Sequence, residues 1–399
     1  MWKTGLVLAA CYALSGPAWG QPSGCDLTAQ QIEDAGAGCQ RAWMDHNLKL
    51  NDIVSVGTHN SYKVELPEQI MAMLRASAPE SAEELDYRHR PLTEQLDAGA
   101  RQLEIDVYND PQGARFIAPV GLRAAGLALA PAQLAALAEP GFKVMHVQDI
   151  DVLSSCASWR DCLGIVRRWS LAHPDHAPIL IMVNAKTDKA ALPGGVAALP
   201  FDSAAFDALD EDVRAEFPPE ALITPDDVQA GCPTLREAVL SGGWPSLGKA
   251  RGRVMFALDE DTAKIAIYRG ERHSLEGRVF FVNTDEASPA AAYLTLNDPL
   301  LEGDRIRKAV AAGFIVRTRA DAGTHEARAD DTRRREAALA SGAQFVSTDY
   351  LWPEPRLHND YQVRLPGNAA ALCNPVRAAK RCAGMKVEPA VSAETVTEV

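Results

Sequence analysis

Several residues able to do acid–base, metal or anion chemistry stand at the ends of short apolar runs. His59 and Asn60 follow Ile53–Thr58 in VGTHNSYK. Glu104 and Asp106 alternate with Leu103, Ile105 and Val107 in QLEIDVY, so both carboxylates share one strand face and the aliphatic residues the other. His146 ends KVMH, with Asp149 and Asp151 just beyond. Asn184 and Lys186 share a face in ILIMVNAK, as do Arg317 and Arg319 in FIVRTRAD. A final run ends in Ser347-Thr348-Asp349-Tyr350. Two carboxylates, two amides and no thiol form an oxygen-only donor set, which suits Ca²⁺, with Mg²⁺ as the lesser alternative, over zinc or copper. Two histidines supply a base and an acid near neutral pH, and Arg and Lys hold an anion. Together these groups suit phosphodiester cleavage, with the metal offsetting charge on the phosphate. Each residue alone has a dull reading, as a satisfied structural histidine, a half-exposed strand or a surface ion pair. Their arrival at the same end of successive strands does not.

The elements that must position them are eight apolar, β-branched runs: Ile53–Thr58, Gln102–Val107, Lys143–Val147, Ile179–Ala185, Val254–Leu258, Val279–Val282, Phe314–Arg319 and Gln344–Thr348. Helical periodicity separates several of them, as in Trp159–Ala172, Asp304–Ala312 and Thr332–Ser341, and Gly313 and Gly342 close the last two. Alternating strands and helices predict an α/β fold with a parallel sheet, and eight repeats predict a single-domain (β/α)8 TIM barrel over residues 51–352. The active site of such a barrel lies at the carboxyl ends of its strands. The largest insertion falls between Thr187 and Gly252. Residues 21–50 read as an N-terminal cap, 353–385 as a C-terminal extension and 386–399 as a disordered tail.

Residues 1–20 read as a secretory signal: Lys3, the apolar Gly5–Leu14 segment, then Ala18-Trp19-Gly20 as a small-x-small cleavage site. A lipoprotein site at Cys11 is the alternative. Export permits disulfides, and spacing pairs Cys25 with Cys39, Cys156 with Cys162, and Cys373 with Cys382, leaving Cys232 over. A secreted or periplasmic location follows. The formal net charge of -13 argues against a nucleic-acid partner and against strong attraction to an anionic membrane. No later segment is apolar over the roughly 18 residues a membrane span needs. Trp244 and Trp352 read first as core residues, with lipid contact from mouth loops as the alternative.

The sequence resembles the bacterial calcium-dependent phosphatidylinositol-specific phospholipase C family, within the phospholipase C-like phosphodiesterase barrels. The similar stretches are VGTHNSYK, QLDAGARQLEIDVYNDP, KVMHVQDIDVLSSC, HPDHAPILIMVNAKTD, LREAVLSGGWPSLGKARGRVMFALDED and FIVRTRADAGTHEARADDTRRREAALASGAQFVSTDY, spanning about residues 50 to 352. The resemblance implies His59 as general base, His146 as general acid, and Asn60, Glu104, Asp106 and Asn184 as Ca²⁺ ligands. Lys186 and Arg319 would contact phosphate or inositol, and Tyr350 would line the pocket. It implies cleavage of a phospholipid at a membrane surface, by a monomer, to diacylglycerol and a cyclic inositol phosphate. At residue 184 the family pattern has a carboxylate, usually Glu, where this chain has Asn. Weaker calcium binding is expected, unless Asp149 or Asp151 compensates. The rival readings are a glycerophosphodiester or other phospholipid phosphodiesterase on the same barrel, and a non-catalytic barrel that binds a lipid or sugar phosphate.

Overall fold

The computed structural model describes residues 24–382 and 384–390. The expected signal segment, Cys11 and the last nine residues lie outside that range. Twelve strands form one sheet: β1 (Ile53–Thr58), β2 (Gln102–Tyr108), β3 (Lys143–Val144), β4 (Ile179–Lys186), β5 (Leu222–Ile223), β6 (Val254–Leu258), β7 (Phe280–Val282), β8 (Tyr293–Thr295), β9 (Ile315–Arg319), β10 (Phe345–Thr348), β11 (Ala369–Cys373) and β12 (Lys386–Pro389). Parallel ladders run β7-β6-β4-β2-β1-β10-β9-β8, with β5 on the start of β6. The sheet therefore curls, and its buried strands are lined by helices such as Trp159–Ala172, Ser203–Glu216 and Pro299–Ala312. One buried apolar cluster packs on it, running through Leu103, Ile105, Ile181, Val183, Phe256, Phe280 and Ile315.

Pairing between β7 and β8 is limited to a single parallel bridge, Asn283 to Tyr293. One expectation needs correction. The third expected strand is a two-residue piece antiparallel to β2. The apolar run KVMHV turns back on itself there, through a left-handed Asp149 (φ 70°), and β8 takes its place among the parallel strands.

Local signals explain most of the remaining elements. Ser158 and Asp202 cap their helices by accepting from Asp161 N and Ala205 N. Gly313 ends its helix in the left-handed region (φ 113°). Gly57 has a different reason: a Cβ there would meet the Gln102 carbonyl at 2.3 Å, so only glycine lets β1 and β2 approach closely.

The C-terminal extension docks on the outside of β1. β11 pairs antiparallel with Ile53 and Val54, and β12 pairs with β11. The first residues of the expected tail are therefore strand. All three expected disulfides are present. Cys232, left over by the spacing, is disulfide-bonded too, and no free cysteine occurs among the described residues. No described helix is long and apolar enough to cross a membrane.

Candidate active site

β1 delivers His59 at its carboxyl end, where the chain turns through a left-handed Asn60 (φ 48°). Asparagine tolerates that conformation better than most residues. His59 Nδ1 lies 2.7 Å from Asp349 Oδ1, just past β10. Its Nε2 lies 3.4 Å from Arg319 Nη1 and 3.6 Å from Glu104 Oε1. Arg319 also donates to Asp349 Oδ2 at 3.0 Å. Burial, then the Arg319 charge, pushes the His59 imidazole down to about 3, against the opposing pull of Asp349. Burial would raise the Asp349 carboxyl, but His59 and Arg319 outweigh it and hold Asp349 well below the usual carboxylate range. The proton goes instead to its neighbour: burial and Asp349 push Asp321 up to about 7. At neutral pH His59 is thus an uncharged imidazole, with Nδ1–H donated to an ionised Asp349 and an unprotonated Nε2 facing Arg319 and Glu104.

β2 brings Glu104 and Asp106 to the same mouth. Glu104 Oε2 accepts from Arg317 Nη2 at 2.5 Å, and both side chains are buried. Burial pushes the Glu104 carboxyl up to about 8, with Arg317 opposing. Asp106 pairs in register with Asn184 of β4, and Lys186 Nζ lies 3.4 Å from its Oδ2. The Asn184 Nδ2 donates to the Asp259 carbonyl at 3.2 Å. That fixes the amide and leaves its buried Oδ1 without a protein partner.

His146 ends a different chain of contacts. Its Nδ1 lies 3.0 Å from Asp151 Oδ2, and a fully buried Lys63 Nζ lies 3.0 Å from that oxygen. Burial would raise Asp151, but Lys63 and His146 outweigh it and lower it. Lys63 also sits over the Tyr87 ring, 4.9 Å from its centroid. Tyr87 stacks on His59 and receives a 2.7 Å hydrogen bond from Asn60 Nδ2. The two histidines are therefore tied together through Tyr87, Lys63 and Asp151. Tyr108 also donates to the His146 carbonyl at 3.1 Å.

Six of the nine candidate site residues share direct contacts or strand register around Glu104 and Asp106: His59, Glu104, Asp106, Asn184, Lys186 and Arg319. Asn60 follows His59, with its Nδ2 on Tyr87 and its Oδ1 3.5 Å from the Tyr62 hydroxyl. His146 joins through Asp151. Tyr350 does not join them. Its ring packs on Tyr361 in an apolar cluster with Val54, Val56 and Val346, and Asp349 reaches His59 instead. Asp149 cannot supplement the metal donors, because its carboxylate caps Val120 N and Val196 N. Asp151 is likewise committed to His146 and Lys63. Trp244 is buried and donates to the Gly313 carbonyl, so it belongs to the core. Trp352 lies between the Arg90 and Arg364 guanidiniums. Tyr87 and Lys63 carry no signal in the sequence, and Arg317, Asp349 and Asp151 stand in the candidate runs there without the partners they meet here. A groove of about 640 Å³ lies away from this chemistry, between the 235–240 and 299–312 helices.

Residues 48–375 match the profile of the family described as phosphoinositide phospholipase C, Ca²⁺-dependent. The chain belongs to this family. Calcium-dependent phosphoinositol-specific phospholipase C from Pseudomonas is a similar solved structure, at 16% identity and a TM-score of 0.50. The match covers 82% of this chain and 96% of that one. The calcium-dependent phosphatidylinositol-specific phospholipase C of Streptomyces antibioticus matches at 20% identity and a TM-score of 0.48, over 76% and 95% of the two chains. No curated protein matches.

Membership of a calcium-dependent phospholipase C family requires the donors to suit that ion. Among the described residues no cluster of three or more His, Cys, Asp or Glu side chains converges as a metal site. The donor set here has two carboxylates, and the remainder are amides. The orphaned Asn184 Oδ1 beside Asp106, with Glu104 and the Asn60 amide, is an all-oxygen set that fits a calcium ion in type, with low ligand charge.

Proposed function

We propose that this phospholipase C family member is an exported, calcium-dependent enzyme that cleaves phosphatidylinositol to diacylglycerol and a cyclic inositol phosphate. The observation that carries the reading is His59, held neutral with Nδ1 on Asp349 and an unprotonated Nε2 facing Arg319 and Glu104. His59 Nε2 removes the proton from an inositol hydroxyl next to the phosphate. That oxygen bonds to phosphorus as the bond to the diacylglycerol oxygen breaks. His146 delivers a proton from Nε2 to the leaving oxygen, its Nδ1 held by Asp151. The substrate supplies its own nucleophile, so proximity contributes much of the acceleration. Asn60, Glu104, Asp106 and Asn184 would hold calcium, which when bound would offset charge on the phosphate. Lys186 and Arg319 orient the phosphate or inositol from opposite sides of the mouth.

We read the curled sheet as the (β/α)8 barrel, a reading supported by the bridge that brings β7 and β8 together. Three disulfides support export. We further propose that the chain works as a monomer on phospholipid at a membrane surface. The test is release of water-soluble inositol phosphate from phosphatidylinositol vesicles, with Ca²⁺ and with a chelator. Calcium-dependent release is expected. No release in either condition by folded protein would overturn the phosphatidylinositol assignment and direct the assay to other phosphodiester head groups.

A further inference from the structure

Lys63 is fully buried, so its ammonium cannot touch a substrate. It ends the turn that follows His59, where its main-chain N donates to the Asn60 carbonyl at 2.8 Å. Its backbone then bridges Ser154, and Ser155 N donates to the Tyr62 carbonyl at 2.9 Å, so the loop behind His146 is laid against this turn. That loop is tight in itself, because the Asp151 carbonyl accepts from both His146 N and Val147 N at 3.1 Å. These contacts set one carboxylate oxygen between two partners. Asp151 Oδ2 lies 3.0 Å from His146 Nδ1 and 3.0 Å from Lys63 Nζ. Among the described residues no carbonyl or hydroxyl accepts from the ammonium, and beyond Asp151 it faces the Tyr87 ring.

A buried ammonium needs a matching charge, and Asp151 supplies one. The same oxygen also serves a histidine that must change charge. As the bond from phosphorus to the diacylglycerol oxygen breaks, the proton on His146 Nε2 passes to that oxygen and the imidazolium becomes neutral. A buried Asp151 with no other cation would hold on to the imidazolium. Once the proton had gone, it would be left as an unpaired buried charge. Lys63 removes both penalties, because it matches Asp151 before and after the transfer. Burial raises the Asp151 carboxyl, and the Lys63 charge is the largest of the influences that outweigh it. We propose that Lys63 is a positioning residue for the general acid, its ammonium cancelling the charge of Asp151 so that the carboxylate orients His146 without retaining its proton. This rests on the general-acid reading of His146 above, and not on the calcium ligands.

Turnover is measured on two esters of one head group, phosphatidylinositol and myo-inositol 1-(4-nitrophenyl phosphate). Nitrophenolate leaves without being protonated, so only the first ester needs the acid. Lys63→Met is expected to lower kcat on phosphatidylinositol by at least about 10-fold, and on the nitrophenyl ester by less than about 3-fold. In a His146→Ala background the same substitution is expected to lower kcat by less than about 3-fold on either ester, because the group it acts through is gone. Should Lys63→Met fail to fold, Lys63→Gln, which keeps a donor toward Asp151 but no charge, is read on the same two esters. Equal losses on both esters, or an undiminished loss in the His146→Ala background, would make Lys63 a structural residue and overturn the proposal. Unchanged phosphatidylinositol turnover by the folded Lys63 variant, with His146→Ala impaired, overturns it too and leaves the acid assignment standing. Unchanged turnover by His146→Ala overturns both.

Discussion

Buried charge occurs at both ends of the curled sheet, and the two ends use it differently. At the amino ends Arg101 is fully buried. Its Nε donates to Glu388 of β12 at 3.0 Å, its Nη1 donates to the Leu96 and Ala100 carbonyls, and its guanidinium covers Trp169. Glu388 also accepts from Ala177 N. Nearby, Ser170 and the Ala177 carbonyl occupy both nitrogens of His176. Each of these groups is engaged by protein partners. At the carboxyl ends His59 Nε2 has only long contacts, and Asn184 Oδ1 has none. A cluster of buried polar residues does not by itself mark a reactive site. Unused capacity, pointed the same way from several strands, does.

The sharpest way to break this contrast is to remove the histidines. His59→Ala and His146→Ala should each lower phosphodiester turnover by at least about 100-fold while circular dichroism and Tm stay near wild type. Wild-type turnover in either variant would remove its assigned role. Asp349→Asn should keep the fold yet lower kcat by at least about 100-fold, because the amide cannot hold the same His59 tautomer. A change in KM alone would mean that Asp349 does not orient the base.

The opposite end should respond in stability, not in chemistry. Glu388→Gln leaves Arg101 buried without its anion and is expected to cost about 3 kcal/mol by denaturant unfolding. Turnover per folded molecule should not change. A loss of kcat in that variant would blur the distinction between the two ends.

The smallest effect is in pH. Burial holds His89 and His176 at about 4, and His59 lower still. Above pH 6.5 these groups are neutral both folded and unfolded. Below it the unfolded chain takes up protons first, so stability falls as pH drops from about 6.5 toward 4. Tm measured across that window should decline, and less steeply in His176→Phe. An unchanged slope in that variant would show that His176 titrates normally.

The legible parts of the fold were those with a period. β1, β2, β4, β6, β9 and β10 carry β-branched or alternating sequence, and the chain reads them directly. β8 is three residues after an alanine run, too short to show alternation. KVMHV is apolar enough for a strand, but hydrophobicity does not reveal the reversal at Asp149. The site divides in the same way. His59, Glu104, Asp106, Asn184 and Lys186 follow from strand phase. Past the end of β10 the phase is lost, and one residue of slip exchanges Tyr350 for Asp349. Lys63, Tyr87 and Asp151 lie on loops, where no period says which side chains will meet.

The pairing of His59 with Asp349 spans 290 residues, and β1 gains its outer neighbour only from Ala369–Cys373. The first site residue to be synthesised is therefore among the last to become competent. A chain that emerges amino terminus first carries its imidazole through most of its production without the partner that orients it. A lipid-cleaving activity so wired is silent in every partial chain and switches on only when nearly the whole polypeptide is in hand.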